Sequence, residues 1–268
     1  MEIFDRFEIV EPFPAVYDPE LDAVAVSDLH LGLESLMADQ GVLMPKFQLE
    51  EMKEDLEKIL EEKEPERLVV CGDVKHEFSE TSYGEREEVQ ELLDFLAGKV
   101  EEVLLVKGNH DNYLIYAVDD YENVELEDRF VLGDVVFVHG HEILEDLETL
   151  DADYVVMGHE HPAVVMEDEV GIEEKLPAFL YGEMGESERR PDNREGKEDS
   201  QSAVHDGRKL LVLPAFSKLA EGSKVNRVDE DRLLSPVLKK KVDIGSMKAV
   251  GVDRDAGLFE FPELGKMR

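Results

Sequence analysis

The chain has 268 residues, which suits one large domain or two small ones and allows a substantial hydrophobic core. Its 66 acidic residues outnumber 29 basic ones, so the formal net charge is -37, and the acidic residues are spread along the whole sequence. Such a surface repels nucleic acids and anionic membranes at ordinary salt, which argues against general electrostatic binding to either. The charge favours adaptation to a halophilic cytoplasm, with acidic segments for a basic partner as the alternative.

Location and redox chemistry follow from a few further features. Residues 1–6 lack the basic and apolar layout of a secretory signal, and no apolar stretch is long enough to span a bilayer. We therefore expect a cytoplasmic protein that has no membrane contact. Cys71 is the single cysteine, which excludes an intramolecular disulfide and a cysteine-rich zinc site. Because Cys71 ends an apolar run, we expect a buried small side chain rather than a catalytic thiol.

The first part of the chain alternates predicted strands and helices. Short apolar runs at 23–26, 68–70 and 103–106 predict buried strands. Between them, 45–64 and 84–97 carry apolar residues at helical spacing with charged residues in between. The order strand, helix, strand, helix predicts a parallel α/β sheet.

After about residue 121 the pattern changes to strands. Residues 130–132 and 135–138 flank a Gly-Asp turn and predict a β-hairpin. The other predicted strands are 154–157, 163–166, 178–181, 210–213, 249–252 and 258–261, of which the last two form a hairpin. Two facing sheets with helices outside would accommodate this order. Residues 183–207 are polar and nearly free of large apolar side chains, which predicts a mobile acidic loop inserted in a single domain spanning 1–268.

Polar side chains that can bind metal follow five of the predicted strands. Seven of the eight histidines fall in these places, and only His205 lies elsewhere, in the acidic loop. Because open α/β sheets bind ligands beyond the carboxyl ends of their strands, we expect one shared site. The motifs are Asp-x-His at 28–30, Gly-Asp-x-x-His at 72–76, Gly-Asn-His-Asp at 108–111, His-Gly-His at 139–141 and Gly-His-x-His at 158–161.

Each motif alone also has an ordinary explanation, such as a capping aspartate beside a core histidine or a plain turn. Independent core histidines would not fall in order behind successive strands, so the motifs together predict a metal site. The donors are carboxylate oxygens, an amide oxygen and imidazole nitrogens, which suits Mn, Fe or Zn. There are enough donors for two divalent ions with one bridging carboxylate, and such a pair clamps the attacking and leaving oxygens of a phosphoryl displacement.

In this order the five motifs resemble those of the calcineurin-like metallophosphoesterases, over about residues 22–162. The resemblance implies an α/β fold, a four-layer α/β/β/α sandwich with two mixed β-sheets. It implies a hydroxide shared between two metal ions as the nucleophile, without a covalent enzyme intermediate. The implied ligands are Asp28, His30 and His161 for the first ion, Asn109, His139 and His159 for the second, and Asp73 as the bridge.

The resemblance also implies roles beside the ligands. His110 would protonate the leaving oxygen or stabilise charge in the transition state, and Asp111 would orient His110. His76 and His141 would either contact phosphate or support the ligands, unless they are polar surface residues next to the site. Lys75 could contact phosphate, although a solvated lysine is the simpler interpretation.

Departures from the family patterns narrow the subgroup. Protein Ser/Thr phosphatases carry Gly-Asp-x-x-Asp-Arg-Gly and Arg-Gly-Asn-His-Glu, where this chain has His76, Lys107 and Asp111, so that activity is disfavoured. The histidine at position 76 of the Gly-Asp-x-x-His motif resembles the pattern of SbcD-type DNA-repair nucleases. The whole chain, including 213–217 and Asn226, is similar to a compact archaeal SbcD-related group that is linked to helicases by analogy. The sequence stops before the capping domain of those nucleases, which argues against polymeric DNA as substrate.

We therefore expect a metal-dependent phosphodiesterase or nuclease that acts on single-stranded nucleic acid or nucleotides, with two divalent ions and Mn favoured. Tyr113 and Tyr116 follow the Gly-Asn-His-Asp loop and would either stack a base or pack in the core. A small-molecule phosphomonoesterase is the alternative enzyme. A catalytically silent scaffold is the alternative of another class, and the presence of every expected ligand argues against it.

Overall fold

The computed structural model describes residues 1–41, 46–77, 83–143, 150–167, 171–185 and 207–267. In this part of the chain the strands form two mixed sheets. The first sheet contains, in spatial order, β1 (Glu2–Ile3), β2 (Phe7–Ile9), β3 (Val16–Asp18), β4 (Ala23–Val26), β5 (Arg67–Val70), β6 (Glu102–Val106) and β7 (Val124–Glu127). Its first four strands are antiparallel to their neighbours, whereas β4 to β7 run parallel.

The second sheet follows in sequence. Its strands are β8 (Arg129–Leu132), β9 (Val135–Val138), β10 (Tyr154–Met157), β11 (Pro162–Glu167), β12 (Glu173–Glu183), β13 (Lys209–Val212), β14 (Ser223–Lys224), β15 (Lys248–Asp253) and β16 (Gly257–Phe261). The spatial order is β14-β11-β12-β13-β10-β9-β8, and the β15–β16 hairpin joins through β12. Strand β10 is parallel to both β9 and β13, so the centre of this sheet is also parallel.

Helices cover the outer faces. They are α1 (Leu33–Asp39), α2 (Gln48–Lys63), α3 (Tyr83–Ala97), α4 (Ile115–Val118) and α5 (Pro236–Lys241), with 3-10 turns at Glu230–Arg232, Ile244–Ser246 and Leu264–Lys266. Helix α2 buries Met52, Leu56 and Ile59 at helical spacing against the first sheet. Ser235 caps the amino end of α5, and its hydroxyl accepts a hydrogen bond from the Val237 amide.

Successive side chains of the central strands face different layers of the sandwich. Val24 and Val26 face α2 and α3, whereas Ala25 faces the second sheet. In the second sheet Phe137 faces the first sheet and Val136 faces the α5 layer. The predicted four-layer α/β/β/α sandwich with two mixed sheets is therefore confirmed.

The structure differs from the sequence prediction at several elements. Strands β1 to β3, β7 and β14 were not predicted, because none contains a continuous apolar run like those of β4 and β5. The predicted acidic loop begins too early, since β12 continues through Glu183 and the buried Met184 donates its amide to the Arg208 carbonyl at 2.7 Å. Residues 186–206, including His205, lie outside the described residues. Among the residues that are described, no helix is long and apolar enough to cross a membrane.

Candidate metal centre

The polar motifs lie at the carboxyl ends of central strands from both sheets. Asp28 and His30 follow β4, Asp73 follows β5, Asn109 follows β6, His139 follows β9, and His159 and His161 follow β10. Because the two sheets pack face to face with these ends on one side, the loops meet. The structure thus brings together all seven side chains that were predicted to bind metal.

Unusual backbone conformations mark the same residues. Asp28, His30, Asp73, His159 and His161 all have φ between 46° and 67°, in the left-handed region that side chains other than glycine rarely adopt. Each such residue costs on the order of 1–3 kcal/mol, and such strain clusters where function requires it. Five of the seven predicted ligands therefore carry an independent sign of a functional site.

The first cluster contains Asp28, His30 and His161. The Nε2 atom of His161 lies 3.1 Å from Oδ1 of Asp28 and 3.2 Å from Nε2 of His30. One potential ligand atom from each residue falls within 4.8 Å of the others. The backbone amide of His159 donates to the Asp28 carboxylate at 3.0 Å, which fixes the carboxylate between the two sheets.

The second cluster is centred on His139. Its Nε2 atom lies 3.1 Å from Oδ1 of Asn109 and 3.2 Å from Nδ1 of His159. Its Nδ1 atom lies 2.9 Å from the Cys71 carbonyl oxygen, which can only accept a hydrogen bond. Nδ1 therefore carries a proton, and Nε2 is the nitrogen that faces the site and would bind metal after losing its own proton, the arrangement that metal-binding histidines use. Cys71 itself is buried, as predicted.

Asp73 lies between the two clusters. Its Oδ2 atom is 3.3 Å from Nε2 of His139 and 3.9 Å from Nε2 of His30. Its Oδ1 atom accepts a hydrogen bond of 3.0 Å from the His110 amide. A side chain on Gly108 would collide with this carboxylate, so glycine is required there for close approach of the loops.

The pKa shifts keep His30 and His159 neutral but favour a charged ring at His139. Burial lowers the pKa of His30 to about 3 and that of His159 to about 4. Burial also opposes charge on His139, but the hydrogen bond and charge of Asp73 outweigh it and raise the pKa of His139 to about 9. Burial opposes ionisation of Asp73, yet the hydrogen bond from His139 and nearby positive charge hold its pKa below the usual range.

These residues fit a pair of divalent cations. Asp28 and Asp73 are no more than 2% exposed, and burying two carboxylates side by side is costly unless positive charge compensates them. Carboxylate and amide oxygens with imidazole nitrogens are donors that suit Mn, Fe or Zn. The donor atoms of each cluster lie 3.1–3.3 Å apart, so they converge on the positions that the ions would take.

His110 and His76 adjoin the ligands. The Nδ1 atom of His110 donates a hydrogen bond to the His76 carbonyl, and its Nε2 atom lies 3.8 Å from the Asp73 carboxylate. The His76 ring stacks on His110 and places Nδ1 3.3 Å from Nδ1 of His30. The Asp111 carboxylate accepts hydrogen bonds from the Gly108 and Lys75 amides at 2.8 and 3.3 Å, and its role in orienting His110 stays a prediction. Asp111 thus joins two ligand loops through their backbone.

Buried polar side chains that the sequence prediction missed hold the ligand loops. Gln48 donates from Nε2 to the Leu29 and His30 carbonyls at 3.1 and 3.2 Å. Glu85 accepts from the His76 amide at 3.0 Å, and the fully buried Glu160 accepts from the Ser235 amide at 2.8 Å. Glu160 is the x of Gly-His-x-His, so strand alternation gave a signal that it faces away from the ligands.

Other predictions were wrong or open. Lys75 is fully buried, and its Nζ atom donates a hydrogen bond to the Glu77 carbonyl. The prediction of a solvated lysine is therefore wrong, because the loops at the site pack closely around this side chain. His141 is half-buried, with its ring 5.2 Å from that of His139, and therefore adjoins the second cluster. Tyr113 and Tyr116 are exposed, which excludes packing in the core.

A half-open cavity of about 800 Å³ begins at His161. Its walls include Lys175, Lys218, Lys224 and Arg254, an unusual number of cations for this acidic chain. Lys218 pairs with Glu51 at 2.8 Å, and Lys224 and Arg254 also have carboxylate partners. The wall is therefore nearer to neutral than the rest of the surface.

Comparison with known proteins assigns the family. Residues 22–163, more than half of the chain, match the family model described as calcineurin-like phosphoesterase. The chain belongs to this family, and is accordingly a phosphohydrolase of a class that uses divalent metal ions. No curated protein matches the sequence.

Several solved structures are similar. The nuclease MPE of Pseudomonas putida has 18% sequence identity over 92% of each chain, with a TM-score of 0.56. AQ665 of Aquifex aeolicus, a protein of unknown function, has 18% identity over 51% of this chain and 77% of its own, with a TM-score of 0.37. Yfce, a phosphoesterase from E. coli, has 20% identity over 55% and 73%, with a TM-score of 0.32. Because its sequence identity is only 18%, the similarity to the nuclease MPE shows a shared fold and no more.

Proposed function

We propose that the chain is a dinuclear phosphodiesterase or nuclease that acts on nucleotides or short single-stranded nucleic acid. The observation that carries the proposal is the convergence of donor atoms from five loops around Asp73, next to a cavity of about 800 Å³ that is far larger than a phosphate group. A nuclease of similar fold supports a diester as substrate.

The proposed ligands divide the charge of the site between two ions. When bound, the ions would activate a water molecule and neutralise the charge of the phosphate, and the donor set favours Mn²⁺. The buried carboxylates of Asp28 and Asp73 supply the negative charge that retains the ions. One ion would contact Asp28, His30 and His161, the other Asn109, His139 and His159, and both would contact Asp73.

His110 is proposed to assist departure of the leaving group. The His76 carbonyl fixes the proton on Nδ1 and turns Nε2 toward Asp73. In its doubly protonated form the ring donates the Nε2 proton to the leaving oxygen and becomes neutral, without a covalent bond to substrate. His76 restrains the His110 ring by stacking, and Asp111 holds the two loops in register.

The cavity beside His161 is proposed to hold the rest of the substrate. Its lysines offset the repulsion that the acidic chain exerts on an anion. Long duplex DNA needs many unpaired cations for phosphate contacts, and paired lysines such as Lys218 do not supply them. The wall therefore favours a nucleotide or a short strand over a polymeric duplex.

Hydrolysis of a diester and a monoester tests the proposal. The protein is loaded with Mn²⁺ and assayed on bis-p-nitrophenyl phosphate and on p-nitrophenyl phosphate. We expect a larger kcat/KM for the diester. A preference for the monoester would support the small-molecule phosphomonoesterase instead. If protein that holds two ions per chain cleaves neither compound, the catalytically silent scaffold is the better interpretation.

Membership of the compact SbcD-related group remains a proposal, as do a DNA-repair role and a helicase partner. Asn226, one of the residues behind that resemblance, is buried and bonds both the amide and the carbonyl of Val165, so it joins β11 to the segment after β14. High-salt adaptation is likewise proposed from the charge of -37. It predicts a higher melting temperature in molar KCl than in dilute buffer.

A further inference from the structure

Two exposed tyrosines follow the loop that carries His110. Tyr113 and Tyr116 are 51% and 67% exposed, and Ile115 between them is 44% exposed. Their rings are near-parallel, with an angle of 18° and centroids 6.4 Å apart. Leu114 is buried in the helix-facing core and anchors the segment, so the rings are held outward in a defined direction.

The backbone at Tyr113 is strained. Its φ of 69° lies in the left-handed region, where a bulky side chain is an outlier. The exposed ring gains little burial that would offset this strain. Five of the seven predicted ligands share this conformation, and strained residues cluster at functional sites, so the strain at Tyr113 is consistent with a ligand contact of its ring.

The tyrosines are continuous with the metal centre. The Leu114 amide donates to the Asp111 carbonyl at 3.2 Å, and the Asp111 carboxylate is bonded to the Gly108 amide of the ligand loop. A separate cavity of about 360 Å³ lies against the two rings. The exposed Arg86 of α3 forms part of its wall and places a positive charge beside the aromatic surface.

We propose that Tyr113 and Tyr116 stack an unpaired base of a nucleic-acid strand whose phosphodiester lies at the metal centre, a proposal that rests on the proposed function. Every base has an aromatic face, so this site tolerates any sequence. Arg86 attracts the phosphate of the stacked nucleotide. This surface is too small for a protein partner, because the exposed side chains of Tyr113, Ile115 and Tyr116 cannot supply the roughly 1,000 Å² that a specific interface buries.

The double variant Tyr113→Ala/Tyr116→Ala tests the base site. Full-length protein loaded with Mn²⁺ is assayed on a fluorescent single-stranded oligonucleotide, on the same strand with abasic sites, and on methyl p-nitrophenyl phosphate. We expect kcat/KM for the normal strand to fall roughly 5- to 150-fold, the range for one stacked base, mainly through KM. The abasic strand and the small diester should be cleaved as by the unchanged protein.

Two controls accompany this variant. Tyr113→Phe/Tyr116→Phe keeps the rings and should retain cleavage of the normal strand, and Phe259→Ala removes an exposed ring on the β15–β16 hairpin and should change nothing.

An undiminished rate of the alanine variant on the normal strand would overturn the base site and leave the proposed function intact. A comparable loss on the abasic strand or small diester would assign a structural role, and loss of a concentration-dependent dimer would assign the surface to a second copy; either overturns the proposal. Unchanged protein that cleaves neither strand nor diester would overturn the proposed function itself.

Discussion

The two ends of the sheet sandwich treat buried charge in opposite ways. At the amino ends of the central strands, the buried Arg6 lies 2.8 Å from Asp18 and 2.7 Å from Asp134, with its guanidinium 4.7 Å from the centre of the Tyr154 ring. At the carboxyl ends, buried carboxylates and histidines face one another on strained backbone. The carboxylates around Arg6 share a cation that belongs to the chain itself, so this group is expected to stabilise the fold. The carboxylates at the carboxyl ends fit bound cations, so that group is expected to serve function rather than stability.

Removing one proposed ligand should separate function from stability most strongly. Asn109→Ala deletes an amide oxygen of the second cluster without creating a buried charge. We expect diester hydrolysis to fall by about 10³-fold, as for other residues that act on the transition state. The melting temperature of the metal-free protein should stay unchanged. Steady-state kinetics, ion stoichiometry and calorimetry check this, and full activity with two bound ions would contradict it.

The converse change lies at the amino ends. Arg6→Ala leaves Asp18 buried without its guanidinium partner, and breaking a buried pair in this way costs about 3–5 kcal/mol. We expect the free energy of unfolding in urea to fall by that amount while kcat for the metal-loaded protein is retained. The double variant Arg6→Ala/Asp18→Ala should recover part of the loss. If the single variant lost activity but no stability, the contrast between the ends would be wrong.

A smaller effect is expected behind the first cluster. Gln48→Ala removes the donor to the Leu29 and His30 carbonyls and loosens the loop that carries His30. Metal affinity should fall by about 10–100-fold, as when other supports of metal ligands are removed. Gln90→Ala, on the exposed face of α3, is the matched control. Equal affinities of the two variants, measured by isothermal titration with Mn²⁺, would show that Gln48 does not support the site.

The smallest effect concerns protons. The pKa of His139 is raised to about 9 in the metal-free protein, so its ring is protonated at neutral pH, whereas a ligand imidazole must be neutral. Metal uptake should therefore release a proton, and affinity should rise up to about tenfold per pH unit below pH 9 and then level off. Titrations in buffers of different ionisation enthalpy count the protons. An observed heat that does not depend on the buffer would contradict this expectation.

Much of the fold could be predicted because the central strands are continuous apolar runs, as buried parallel strands must be. Strands at the margins escaped prediction for a physical reason. Strand β7 has the alternation Val-Glu-Leu-Glu of a half-buried edge strand, a signal that a prediction from continuous apolar runs misses, and the pairs of residues in β1 and β14 are too short for any periodicity. Their structure depends on neighbours that the local sequence does not reveal.

The polar side chains that meet at the candidate site could be predicted, but the buried residues that support them could not. Motifs behind strands identify residues such as Asp73 and His139, because strand ends converge in any sheet. Glu85 and Glu160 are also buried at the site. The alternation in Gly-His-x-His indicates only that Glu160 faces away from the two histidines, and nothing in a sequence with 66 acidic residues marks Glu85 as buried. Burial of Lys75 was missed for the same reason, since it depends on how tightly the loops pack.

The wide separation of the ligands in the sequence has a consequence for biosynthesis. His30 and His161 touch across 131 positions, and they belong to different sheets. On the proposed assignment, the set of ligands for the first ion is complete only after residues beyond β10 have left the ribosome and the second sheet has packed on the first. On that assignment, binding of both ions would report that the two sheets have docked, and hydrolysis would begin only in the folded protein.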